Sequence, residues 1–276
     1  MKEKKKIYYT NENMDDFSPV TVDARKIDKS YVFPHKKSAP WRVLSSFLYR
    51  VVATPIAFLY CKIKVGDKYI GRKKLKTVKG GCFFYMNHTM LTGDAFTPNV
   101  IAFPRRGYII VHPDNVSLPV VGRITPLLGA IPLPGDLASS RNFAVEVEAA
   151  VERGGAVIIY PEAHIWPYFT GIRNFPSSSF SYPVRLGAPV FALTRTFSRG
   201  LFGRVKSTVY IDGPFYPDKS LSAPAAREAL CDEVKAAMRE RARLSSYEPI
   251  EYIKEEKSAE NGKNENNNLQ NGGVSE

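Results

Sequence analysis

Cysteine is scarce: three residues in 276, at positions 61, 82 and 231, with no Cys-x-x-Cys and no histidine at ligand spacing to any of them. That excludes a disulfide framework and a zinc site of recognisable spacing, and it suits a reducing compartment. The sequence has no Gly-x-Ser-x-Gly elbow and no cysteine beside a histidine, so no covalent nucleophile stands out. A P-loop and a Gly-x-Gly-x-x-Gly fingerprint are also missing. No metal and no bound cofactor are therefore expected. The first residues are charged, but polar residues 11–16 follow where a secretory signal needs an apolar stretch, so no such signal is expected. There is no internal repeat.

Acidic residues are few in the first part of the chain. Residues 1–80 hold 19 Lys and Arg against 7 Asp and Glu, while residues 81–276 hold 20 of each, so the whole net charge of +12 is N-terminal. Lys2, Lys4, Lys5 and Lys6 form one cluster; Arg72, Lys73, Lys74, Lys76 and Lys79 form another. Charge placed this way points to an anionic surface. Nothing resembles a zinc finger, an RNA-binding strand or a base-reading helix, so a membrane is expected rather than a nucleic acid.

Between the clusters runs the longest apolar stretch. Residues 43–61 are 19 in number, barely the ~20 needed to cross a bilayer. Arg50 lies near its middle and Pro55 predicts a kink. Ser45, Ser46, Tyr49, Arg50 and Thr54 gather on one helical face; Leu44, Phe47, Leu48, Val51 and Val52 cover the other. This pattern favours an amphipathic helix over 41–62 lying in a membrane interface, with Trp41, Arg42, Tyr60, Lys62 and Lys64 at the headgroup boundaries. The alternative is an ordinary amphipathic helix packed on the core.

Past residue 62 the pattern becomes α/β. Apolar runs ending in polar residues predict buried strands at 82–86, 107–112, 131–133, 156–160, 190–194 and 205–211, with an edge strand within 62–70. Helices are expected over 118–128, after Ser139 and Ser140, and over 225–244 behind Pro224. Residues 1–40 read as a basic, poorly ordered segment, 63–250 as one α/β domain, and 251–276 as a disordered polar tail. The fold expected is α/β, a mixed and mostly parallel sheet flanked by helices.

Two of these strands deliver titratable groups at their C-terminal ends, where open α/β sheets build their sites. Phe83-Phe84-Tyr85-Met86 runs into Asn87-His88, and Asp94 follows six residues after the histidine. Ala156 to Tyr160 runs into Pro161-Glu162. A histidine held by an aspartate is a general base, able to take a proton from a hydroxyl as its oxygen attacks a carbonyl.

These residues resemble the glycerolipid acyltransferases, the family that includes the 1-acylglycerol-3-phosphate acyltransferases. The resemblance covers roughly residues 80 to 197. His88 and Asp94 match the family's catalytic dyad, Gly129-Ala130-Ile131-Pro132 its acceptor-binding second segment, Tyr160-Pro161-Glu162-Ala163 its Pro-Glu-Gly motif, and Ala188-Pro189-Val190-Phe191 its fourth. It implies transfer of an acyl chain from acyl-CoA or acyl-carrier protein to a lysophospholipid-like acceptor, on the cytoplasmic face of a membrane. By the same resemblance Pro161, Glu162 and Gly129 contact the acceptor. Glu162 alternatively orients a basic partner or charges a helix N-terminus.

Three departures leave the acceptor open. Five residues rather than four separate His88 from Asp94, which on a continuous helix would turn Asp94 by about 100°; Gly93 is the residue expected to absorb the shift. The third motif lacks its usual Gly-Thr-Arg continuation, so Arg173 becomes the candidate for an anionic headgroup. The second segment lacks a close arginine, and Arg141 is the next available. His112 and His164 read as structural, and Trp166, Tyr168 and Phe169 line either the substrate path or the core.

Overall fold

The computed structural model describes residues 4–18 and 24–255. Lys2, Pro19 and the polar tail beyond residue 255 lie outside the described residues. Seven strands form one sheet: β2 (Lys68–Ile70), β3 (Cys82–Met86), β4 (Gly107–Val111), β5 (Ala130–Pro132), β6 (Ala156–Ile159), β7 (Val190–Arg199) and β8 (Val205–Phe215). Their order across it is β2-β8-β7-β3-β6-β4-β5, with every pairing parallel except the β7–β8 hairpin. The mixed, mostly parallel sheet flanked by helices is therefore the fold observed.

Strand β3 is buried along its whole length because both faces of the sheet are covered. Phe83 and Tyr85 point with Val157, Ile159 and Val190 into a core closed by Phe143 and Val147 of one helix (Leu137–Glu152) and Leu230, Val234 and Met238 of another (Ala223–Ala242). Cys82, Phe84 and Met86 alternate to the opposite core, with Phe191, Leu193, Val209 and Ile211, beneath Ile101 and Ala102 of a third helix (Gly93–Ala102). In chain order we call the long N-terminal helix α1 (Ala39–Val65), Gly93–Ala102 α2, Leu137–Glu152 α3 and Ala223–Ala242 α4. The N-cap of α3 is Asp136, not Ser139 or Ser140: its Oδ1 accepts from the Ser139 N–H at 2.7 Å.

Helix α1 packs on α2, and its winding has a visible cause. Ser45, Tyr49, Ala57, Cys61 and Val65 are buried at four-residue steps, with half-buried Ala53 completing the row. In a regular α-helix such a row would drift by about 40° at each step. Residues Leu48–Ala53 and Cys61–Val65 are instead wound as π-helix, which raises the mean period towards four and keeps the row on one face. Pro55, which has no N–H to donate, follows the first wide stretch.

The buried row is partly polar. Ser45 Oγ donates to the Leu127 carbonyl at 2.7 Å, and the Tyr49 hydroxyl donates to Asn99 Oδ1 at 3.1 Å while accepting from the Gly107 N–H at 2.8 Å. The apolar face is turned outward, with Val43, Leu44, Phe47, Val51, Ile56, Leu59 and Ile63 exposed. Only 17% of its most apolar window is buried, so α1 is no core helix of a globular protein.

Several elements differ from expectation. The stretch 118–128 is two short turns rather than one helix, Val121–Ile124 and the 3₁₀ turn Thr125–Leu128, set off from the preceding turn Asp114–Ser117 by Pro119 and by Val120 with φ 62°. Residues 62–65 belong to α1, leaving only Lys68–Ile70 as the edge strand. The described parts of 1–40 and of the tail are ordered: β1 (Lys5–Tyr9) pairs in parallel with β9 (Ile250–Lys254) in a separate two-stranded sheet. Ile27, Tyr31 and Phe33 enter the main core, and His35 anchors there with Nδ1 2.8 Å from Glu146 Oε2. Their apolar side chains among the charges were enough to order the segment.

Candidate active site

Strand β3 leaves the sheet at Asn87, and the asparagine side chain makes the exit possible. Its Oδ1 accepts from the Arg195 N–H at 2.8 Å and its Nδ2 donates to the Arg195 carbonyl at 3.1 Å, so the amide substitutes for one more rung of the β3–β7 ladder. The backbone of His88 is thereby released from pairing. Its N–H goes to Glu162 Oε2 at 3.2 Å, and its carbonyl accepts from the Trp166 N–H at 3.0 Å.

His88 Nδ1 lies 2.9 Å from Asp94 Oδ2. The same oxygen accepts the N–H groups of Thr89 and Met90, each at 2.9 Å. Asp94 sits in the first turn of α2, a favourable place for a carboxylate. Residues 89–92 precede α2, which starts at Gly93, so the five-residue spacing does not run along a continuous helix and Asp94 still reaches His88. With Nδ1–H donated to Asp94, Nε2 carries the free lone pair. The Tyr160 ring stacks on the imidazole at 4.3 Å between centroids, and its hydroxyl donates to the Asp94 carbonyl at 2.6 Å. The His88 side chain keeps 23% of its surface exposed, while Asp94 is buried.

Behind Asp94 lies a charge that the sequence analysis missed. Arg195, on β7, is fully buried with Nε 3.6 Å from Asp94 Oδ1, and its Nη1 is 2.6 Å from Asp67 Oδ1. Ser207 Oγ accepts from its Nη1 at 2.6 Å and Thr97 Oγ1 from its Nη2 at 2.7 Å. Burial pulls the guanidinium pKa down, but the Asp67 and Asp94 carboxylates outweigh it and hold Arg195 charged, above its ordinary value. The signal was present: one charged residue inside the strand run Val190 to Phe197, flanked by Thr194 and Thr196. Asp67 follows the αL glycine Gly66 that ends α1 and had no such signal.

Glu162 is aimed by a tight turn. Pro161 is buried, the Ala163 N–H closes on the Tyr160 carbonyl at 3.1 Å, and the His164 N–H closes on the Glu162 carbonyl at 2.8 Å around Ala163 at φ 63°. Glu162 pairs with Arg173, Oε2 to Nη2 at 3.2 Å, and takes the Arg173 N–H on Oε1 at 3.0 Å. Burial pushes the Glu162 carboxyl above its usual range, against the pull of Arg173.

Arg173 is the main correction. Its guanidinium faces no open space: it is buried, donates to the carbonyls of His164 and Glu12, and lies 5.0 Å over the Trp166 ring. The N-terminal segment covers it. Trp166 Nε1 donates to the Asp15 carbonyl at 2.8 Å, and Tyr9, Phe17, Phe169 and Tyr252 pack around the indole. These aromatics are core, not a path.

Gly129 stands elsewhere. It precedes β5, at the edge of the sheet opposite His88 and three strands away, about 20 Å by strand spacing and rise. Its φ of 100° and the Gly107 carbonyl 2.5 Å from where a Cβ would sit explain the glycine without a ligand. Arg141 is exposed on α3 and makes no ion pair among the described residues. His112 and His164 are surface-proximal, facing Asp114 at 3.1 Å and Asp16 at 3.7 Å.

No family model matches the sequence, and no curated protein matches it either. Among solved structures, the chain is similar to the 1-acyl-sn-glycerophosphate (LPA) acyltransferase PlsC from Thermotoga maritima, at 17% identity and a TM-score of 0.49, over 75% of this chain and 97% of that one.

Proposed function

We propose that this chain is an O-acyltransferase working at a membrane surface. It moves a fatty acyl group from acyl-CoA or acyl-carrier protein to a hydroxyl of a lysophospholipid-like acceptor, of the kind used in phospholipid biosynthesis. The observation that carries the reading is the His88–Asp94 contact of 2.9 Å at the C-terminal edge of the sheet. It agrees with the motif resemblance over residues 80 to 197.

In this mechanism the acceptor hydroxyl donates to His88 Nε2. As its oxygen attacks the thioester carbonyl, the proton moves to the imidazole, and Asp94 stabilises the imidazolium. Collapse of the tetrahedral intermediate expels the thiolate, which the imidazolium reprotonates. No acyl-enzyme is required, since a thioester is already activated. The three cysteines suit that reading: all are buried, and burial pushes the Cys82 thiol up to about 12. Glu162 and Pro161 position the His88 loop from below. The outward apolar face of α1 rests in the interface, on the cytoplasmic leaflet if its anionic lipids attract the basic N-terminal region.

The test is acyl transfer by purified protein from labelled acyl-CoA and acyl-carrier protein into a panel of lysophospholipids and polar alcohols. A lipid product made by the native chain and absent with His88→Ala supports the reading. No product from any pair, with the protein folded and bound to lipid, would overturn it in favour of a non-enzymatic lipid-binding role.

A further inference from the structure

A cavity of about 470 Å³ lies where the end of α1 meets the β7–β8 hairpin, lined by Ile63, Lys64, Val65 and Gly66 from one side and Leu201, Arg204, Val205 and Lys206 from the other. Three of its eight residues are cationic and none is acidic. Among the described residues, Lys64, Arg204 and Lys206 make no ion pair and no side-chain hydrogen bond. The nearest carboxylate in sequence, Asp67, is taken by Arg195. Lys64 alone would be unremarkable, because a helix C-terminus favours cations. Arg204 and Lys206 come from a separate element and have no such reason to be there.

The rim is apolar and exposed. Ile63 shows 70% of its surface and Leu201 76%. Ile63 continues the outward face of α1 through Leu59 and Ile56, so the cavity opens beside the surface assigned above to the membrane. Lys206 pairs with Ser198, three residues beyond Arg195, which bonds Asn87. The cavity therefore stands about 10 Å along the strands and two strands, about 10 Å, across from the dyad. That separation exceeds the distance between the phosphate and the reacting hydroxyl of one acceptor.

The geometry points to a binding site for the phosphate headgroup of an anionic phospholipid, held by Lys64, Arg204 and Lys206 with Ile63 and Leu201 among the acyl chains. It is separate from the reaction centre and seats the protein on its membrane. It rests on the membrane-surface part of the reading above, not on the acyl transfer.

The test measures partition of the full chain onto phosphatidylcholine vesicles with and without phosphatidic acid. Lys64→Gln, Arg204→Gln and Lys206→Gln are combined in one variant. Lys219→Gln, Arg239→Gln and Arg243→Gln, exposed residues flanking or within α4 and outside the basic N-terminal region, form a control of equal charge change. Each cation at an anionic leaflet is worth about fivefold, so the cavity variant should lose about a hundredfold of the preference for phosphatidic acid and the control much less. His88→Ala should bind as the native chain does, which separates this proposal from the catalytic one. Equal losses in the two triple variants would reduce the effect to net charge and overturn the site. Displacement of the bound protein by millimolar inorganic phosphate would also overturn it, in favour of a soluble anion. Native protein with no preference for phosphatidic acid would end the proposal.

Discussion

Asp94 carries more of this structure than its contact with His88 requires. One oxygen fixes the imidazole and two backbone N–H groups; the other faces a buried guanidinium. Asp94→Asn should therefore lower kcat by about 10⁴-fold with little change in KM, because the amide cannot hold the same tautomer; steady-state kinetics check this. Replacing Arg195 by Met leaves Asp67 and Asp94 buried without their partner. The expected loss is about 3–5 kcal/mol of stability, read by chemical denaturation. Ala163 offers the opposite sign. It holds φ 63°, where the resembling family places glycine, so Ala163→Gly should raise stability by about 1 kcal/mol. An unchanged or lower denaturation midpoint would contradict that. At this scale His88 and Glu162 were legible because each follows an apolar strand run, and Asp94 because it follows His88 by six residues. Arg173 was misjudged, because its partner Glu162 is close only through a turn whose closure no local pattern announces.

Among the elements, α1 shows how far a helical wheel can be read. The division into polar and apolar faces was visible in the sequence, and so was the interior strand pattern from 82 to 160. What stayed hidden was which face the protein would take. Ser45 and Tyr49 are buried because acceptors and donors on the 126–129 turn, α2 and β4 meet them, contacts distant in sequence. The helix also exceeds the expected 41–62 at both ends, since π winding lets the buried row run on to Val65. An outward face held in lipid makes a simple prediction. Val51→Asp with Leu59→Asp should abolish vesicle flotation and leave the thermal midpoint within about 2 °C, because surface substitutions change stability little. A large fall in the midpoint with flotation retained would mean that this face packs on protein.

Across the whole molecule, the first and last described strands meet beside the loop that carries Trp166 and Arg173. Strand β1 pairs with β9, and the segment after β1 roofs Trp166 and Arg173 through the Asp15 and Glu12 carbonyls. Removing residues 1–18 should expose the indole, shift its fluorescence to the red and lower stability by several kcal/mol, as loss of an aromatic cluster demands. An unaltered spectrum would show that the roof is dispensable. The charge asymmetry was legible as composition but not as position. Of the cluster 72–79, Arg72 is spent on the Val100 and Phe103 carbonyls and Lys74 on Asp212, so only part of it faces outward.

The most direct test of the central claim compares initial rates of acyl transfer for the native chain and His88→Ala, with melting curves recorded on the same samples. A fall of at least ~10²-fold with an unchanged melt is the predicted result. A His88→Ala protein that transfers acyl groups at the native rate would contradict the account.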